Sequence, residues 1–228
     1  MIIGRATQRV AGAAAGTVLA AAAVAFCASP ASAVPTCGGF TEAQAVALGY
    51  VTFGPNSGAT TAADVYIDIT ANWHWVYSRD GADIIMTGSG HDIICTGLGG
   101  DTVDAGGNFD HVYAGGDGDT VNAGPGPDYV EGQGNDDFLN GDGGEDVIYG
   151  DGQLPAAGDG ADTITGGPDD DTLNGGDGRD ELIGDGGDDT LNGDDAADDL
   201  VGSDGADTGD GGNGVDTACD VETPINCP

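Results

Sequence analysis

The feature that most restricts this chain is a spacing. Starting at Asp83 and stepping by nine, every position is aspartate: Asp83, Asp92, Asp101, Asp110, Asp119, Asp128, Asp137 and Asp146. Seven extra residues intervene, and the series then runs through Asp162, Asp171, Asp180, Asp189, Asp198, Asp207 and Asp216. Aspartate fills 33 of the 141 positions between 80 and 220, under a quarter, so 15 in-phase aspartates are not a by-product of composition. A fixed period of this kind is the mark of a repeat architecture, in which each unit buries its apolar face only against its neighbours.

A second series lies two residues after each Asp. It reads Ile85, Ile94, Val103, Val112, Val121, Val130, Leu139, Ile148, Ile164, Leu173, Leu182, Leu191 and Leu200, and ends on Gly209 and Ala218. A third, two residues before each Asp, is mostly Gly, with Asn108 and Asn135 as substitutes. Gly and Asn are the residues that tolerate left-handed backbone angles. Each unit therefore reads as a Gly-rich turn, an Asp, and a three-residue strand with one inward apolar side chain. Asp117, Asp169 and Ala196 replace the Gly two before the Asp, and Gln133, Asp142, Asp185 and Asp194 replace the Gly four before it, so irregular turns are expected there.

The N-terminus has a different character. Arg5 and Arg9 precede an apolar, Ala-rich run from Val10 to Phe26, followed by Ser29-Pro30-Ala31-Ser32-Ala33. That order predicts a secretory signal peptide over 1–33 with cleavage after Ala33, too short and wrongly flanked for a membrane span. The net charge of the whole chain is −36, and beyond Ala33 the strong cations are Arg79 and Arg179 alone. Such a polyanion excludes nucleic acid as a partner and disfavours anionic membrane surfaces. A cation is its natural partner. Cys37, Cys95, Cys219 and Cys227 form an even set in an exported chain, which predicts two disulfides. Three pairings are possible; Cys37–Cys95 with Cys219–Cys227 is favoured, because each bridge would tie down one end of the array.

Units such as Gly97-Leu98-Gly99-Gly100-Asp101-Thr102-Val103 and Tyr113-Ala114-Gly115-Gly116-Asp117-Gly118-Asp119-Thr120-Val121-Asn122 resemble the RTX (haemolysin-type) calcium-binding repeat, G-G-x-G-x-D-x-U-x. The resemblance spans roughly 80–219. It implies an all-β fold, a right-handed parallel β-roll with two nonapeptides per coil and about seven coils, and it implies Ca²⁺ as the bound ion. Calcium takes six to eight oxygens from carboxylates and carbonyls, and glycine turns let carbonyls point inward. With two units per coil, Asp83, Asp101, Asp119, Asp137, Asp162, Asp180, Asp198 and Asp216 share one edge. Asp92, Asp110, Asp128, Asp146, Asp171, Asp189 and Asp207 share the other. Stacked carboxylates repel, so the array is expected to need cations and to fold only as it binds them. The irregular repeats at Asp198 and Asp207, with Gly209 in the core register, put occupancy there in doubt.

Segment 34–79 lacks the repeat and reads as an N-terminal cap. Thr41 to Leu48 suits a short helix with Thr41 as its N-cap. Asp64 to Ile69 suits a strand or a degenerate first coil. Trp73, Trp75 and Tyr77 alternate like one strand face, either covering the open end of the roll or forming an aromatic platform for a ligand such as a sugar. The insertion at about 150–158 should loop out, and 220–228 forms a C-terminal tail. His74, His91 and His111 sit singly, the last two in solvent-facing repeat positions. No H-E-x-x-H or G-x-S-x-G occurs and the cap is too short for a catalytic domain, so no enzyme is expected. Two functions remain: a stand-alone secreted calcium-binding module, or an extracellular adhesion or glycan-recognition protein built on a calcium-stiffened scaffold.

Overall fold

A computed structural model describes residues 42–53, 62–152, 160–216 and 218–226. The chain winds into a parallel β-solenoid. One sheet has ten strands, from Val51–Phe53 through His74–Asp80 and Ile93–Leu98 to Thr223–Ile225. The other has nine, from Val65–Ile67 through Ile84–Met86 and Thr102–Asp104 to Ala218–Asp220. Successive strands alternate between the sheets, so each coil spends one nonapeptide on either side, as the repeat predicts. Parallel pairing sets Val121 between Val103 and Leu139, and Val112 between Ile94 and Val130.

The inward residues of the two sheets meet in one continuous core. All 13 large apolar residues of the repeat series lie in it, each no more than 2% exposed. Most strands run to six residues rather than three. The pairing continues past the apolar position into the next turn, as in Asp142↔Gly124 and Gly143↔Pro125.

The turns explain the glycine series. In most turns the second and fourth residues before the Asp sit at positive φ, where a Cβ crowds the following carbonyl. The non-glycine substitutes take the same conformation: Asp117 at 74°, Asp169 at 101°, Ala196 at 101°, Gln133 at 88°, Asp142 at 72°, Asp185 at 73° and Asp194 at 68°. These turns are therefore regular, contrary to the expectation from sequence. Asp and Asn accept this region at low cost, whereas Ala196 adopts it against its preference.

Both ends carry non-repeat coils. At the start, Phe53 stacks on Tyr66 with centroids 5.0 Å apart, and both pack against the core; these rings, rather than the tryptophans, close the open end. Trp75 lies instead on the outer face of the ten-stranded sheet. There the helix Glu42–Leu48 lays Ala45 over Trp75, Ile93, Cys95 and Tyr113 in a second apolar cluster. At the far end, Leu200 aligns with Cys219 rather than Ala218, a one-residue slip from the nine-residue count. Gly209 leaves little room for a side chain, because a Cβ there would stand 2.9 Å from a methyl of Val221. Thr41, Cys37 and Cys227 lie outside the described residues, and so do the partners that both expected disulfides require. No helix of the described residues is long and apolar enough to cross a membrane.

Candidate metal centre

Every in-phase aspartate is buried, at 0–2% exposure. Two vertical ladders result. On one, the backbone N–H of Asp83 donates to Oδ1 of Asp101, Asp101 to Asp119, Asp119 to Asp137, Asp137 to Asp162, Asp162 to Asp180, Asp180 to Asp198 and Asp198 to Asp216. On the other, Asp92 donates to Asp110, then Asp128, Asp146, Asp171, Asp189 and Asp207 in turn. These bonds measure 2.6–3.2 Å. The two edges expected from the sequence are thus the two ladders, and the insertion shifts the partner from 18 to 25 residues away without breaking either.

One oxygen of each carboxylate is satisfied by this bond. The other is not: Oδ2 is buried without a hydrogen-bond partner in 14 of the 15, Asp83 through Asp207. Burying a polar oxygen without a partner costs free energy of order 1–3 kcal/mol, more if it is charged. Desolvation accordingly raises the carboxyls. Asp110 and Asp137 are pushed up to about 9, Asp119, Asp128 and Asp180 to about 8, and Asp146 and Asp162 to about 7. Asp101, Asp171 and Asp198 reach about 6, and Asp92 and Asp189 are raised by the same cause.

From Asp137 onward, Oδ2 faces a glycine five residues earlier or, for Asp162, Gly150 across the insertion. A Cβ built on Gly132, five residues before Asp137, would overlap Asp137 Oδ2 and stand 2.6 Å from the Gly150 carbonyl oxygen of the next coil. The same pair of oxygens flanks Gly141 (Asp146 Oδ2 and the Gly166 carbonyl) and Gly150 (Asp162 Oδ2 and the Gly175 carbonyl). A carboxylate oxygen and a carbonyl oxygen therefore border a space that only glycine leaves open. No three His, Cys, Asp or Glu side chains gather around one point among the described residues. A cation held here would draw on backbone carbonyls as much as on carboxylates, the donor set of a hard ion.

The family model for the RTX calcium-binding nonapeptide repeat matches residues 75–94, 96–130, 123–153, 156–182 and 183–218. The chain belongs to that family. Comparison with curated proteins and with solved structures gave no match. RTX repeats imply Ca²⁺ binding, and the orphaned Oδ2 atoms and glycine-lined spaces fit that ion.

The structure adds ladder members that the nine-residue count missed. His74 is not a solitary side chain. It is fully buried, its backbone N–H donates to Asp92 Oδ1 at 2.6 Å, and its ring Nδ1 lies 2.9 Å from the same oxygen. Asp64 donates to Asp83 in the same way. At the far end Glu222 takes the place of a further aspartate, accepting the Asp207 N–H on Oε2 at 3.0 Å. His74 does sit 18 residues before Asp92, so its phase was visible although its residue type hid it. His91 is exposed and His111 half-buried; Phe109 lies between them, tilted against His91 and edge-on to His111.

Proposed function

We propose that this RTX-repeat protein is a secreted, non-enzymatic calcium-binding module whose roll closes as it takes up Ca²⁺. The observation that carries the reading is the set of 14 buried Oδ2 atoms without partners. A roll this rich in desolvated carboxylates needs counter-charge, and divalent cations bridging carboxylate and carbonyl oxygens supply it. The ligands would be carboxylates of the two aspartate ladders whose turns leave room for an ion, together with turn carbonyls. Because the ladder does not exist in an unfolded chain, binding energy becomes folding energy. Extracellular modules bind Ca²⁺ at about 10⁻⁴–10⁻³ M, so the sites would be empty in the cytosol and filled outside. The signal sequence over 1–33 and the disulfides Cys37–Cys95 and Cys219–Cys227 belong to the same reading. A calcium titration followed by far-UV circular dichroism, with magnesium as control, tests it. A cooperative gain of β signal in calcium alone is expected; a chain that stays disordered at millimolar calcium would sink the idea.

A second reading, surface or glycan recognition, has one observation in its favour. Trp73 is 48% exposed and packs edge-on against His91, with Phe109 39% exposed beyond it. Binding to a glycan array that disappears in Trp73→Ala, with calcium uptake intact, would support it.

A further inference from the structure

The fifth residue before each Asp changes along the chain. In the first six repeats it is Ser78, Thr87, Thr96, Ala105, Ala114 and Ala123. From Asp137 onward the matching position is glycine, Gly132 to Gly211, with Gly150 serving Asp162 across the insertion. This is the position whose absent Cβ leaves the space between Oδ2 and the carbonyl of the next coil.

Resting on the calcium reading, we infer that Ca²⁺ is held only by the nine glycine-flanked rungs, Asp137 to Asp216, and that the six rungs from Asp83 to Asp128 close without metal. Three observations converge. First, the substituting side chains occupy the space: all six are buried, at 3% exposure or less. Second, three of them engage the carbonyl that the cation would need. Ser78 Oγ donates to the Thr96 carbonyl at 3.0 Å, Thr87 Oγ1 to that of Ala105 at 2.6 Å, and Thr96 Oγ1 to that of Ala114. In the glycine-flanked coils the equivalent carbonyls, such as those of Gly150 and Gly166, face the open space instead. Third, the early coils have another source of stability. The second apolar cluster, with Ala45, Trp75, Ile93, Cys95 and Tyr113, covers the outer face of this same stretch and reaches Tyr129 at its edge. The later coils carry no such layer among the described residues, and they are more acidic, with 26 Asp and Glu in 135–220 against 10 in 80–134. The early coils thus make a metal-independent base on which the calcium-dependent coils assemble.

Counting bound ions on the intact chain by native mass spectrometry tests this. Asparagine keeps the Oδ1 acceptor of each rung and removes the charge. The double variant Asp101→Asn, Asp119→Asn should bind as many calcium ions as the parent. The double variant Asp171→Asn, Asp180→Asn should bind fewer, and so should Gly175→Ala, whose methyl would fill the space beside Asp180 Oδ2. Loss of ions from both double variants, or from neither, overturns the inference while leaving calcium binding itself in place. A parent chain that takes up no calcium removes the underlying reading instead.

Discussion

The backbone N–H of Asp119 donates to Oδ1 of Asp137, 2.7 Å away and one full coil later, while Asp137 Oδ2 faces the bare backbone of Gly132. One carboxylate thus performs two tasks, holding the preceding coil with one oxygen and leaving the other to the turn. Removing the side chain should cost more than changing its charge. Asp119→Ala would strand the Asp101 N–H, which donates to Asp119 Oδ1, and a lost partner of this kind costs about 1–3 kcal/mol. Asp119→Asn keeps the acceptor and should lose well under half as much. Urea unfolding of the two variants in saturating calcium measures the difference, and equal losses would show that the ladder bond contributes nothing.

Acidity should stabilise the metal-free roll. The folded carboxyls are raised by burial, Asp110 and Asp137 to about 9 and Asp180 to about 8, against an ordinary value of 3.8. Between those limits the folded state binds protons that the unfolded chain has released, so stability falls as pH rises from about 4 to about 9. In chelator, the β signal in far-UV circular dichroism should be greater at pH 5 than at pH 8. The opposite order would mean that the Oδ2 atoms are not desolvated.

Protons and calcium should compete for the same oxygens. Calcium uptake followed by isothermal titration at pH 5.5 and pH 7.5 should be weaker at the lower value and should release protons on binding at both. Affinity independent of pH would place the ions away from the buried ladder.

Ala196 offers a stabilising change. It holds φ at 101°, a region that costs a non-glycine residue about 1–2 kcal/mol. Ala196→Gly relieves this but adds freedom to the unfolded chain, for a net gain of about 0.5–1 kcal/mol. A raised calcorimetric or chemical unfolding midpoint, with no change in ions bound, is the expected result.

Much of this was legible because one period governs three residue types at once. The phase of Asp83 to Asp216 gave both ladders, and the series from Ile85 to Leu200 gave the core. What the period could not show were departures that keep its geometry with other residues. His74 and Glu222 join the ladder through a backbone N–H and a longer carboxylate. Asp117 and Gln133 turn as glycine does, because the coil on either side fixes the local path more strongly than their own preference. The slip at Cys219 follows the chain's exit from the roll, where no further coil enforces the count. Trp75 looked like an end cap because alternation along a strand does not say what covers its outer face; the helix Glu42–Leu48 does so here.

The insertion has a further meaning. Asp137 still meets Asp162, and Asp146 still meets Asp171, although 25 residues separate each pair instead of 18. The extra length enters between Gly152 and Gly160, and the strands on either side, Val147–Asp151 and Thr163–Pro168, keep their register. The rungs on either side stay in step although the chain between them is seven residues longer, so the length of a turn is set independently of the stacking that orders the coils.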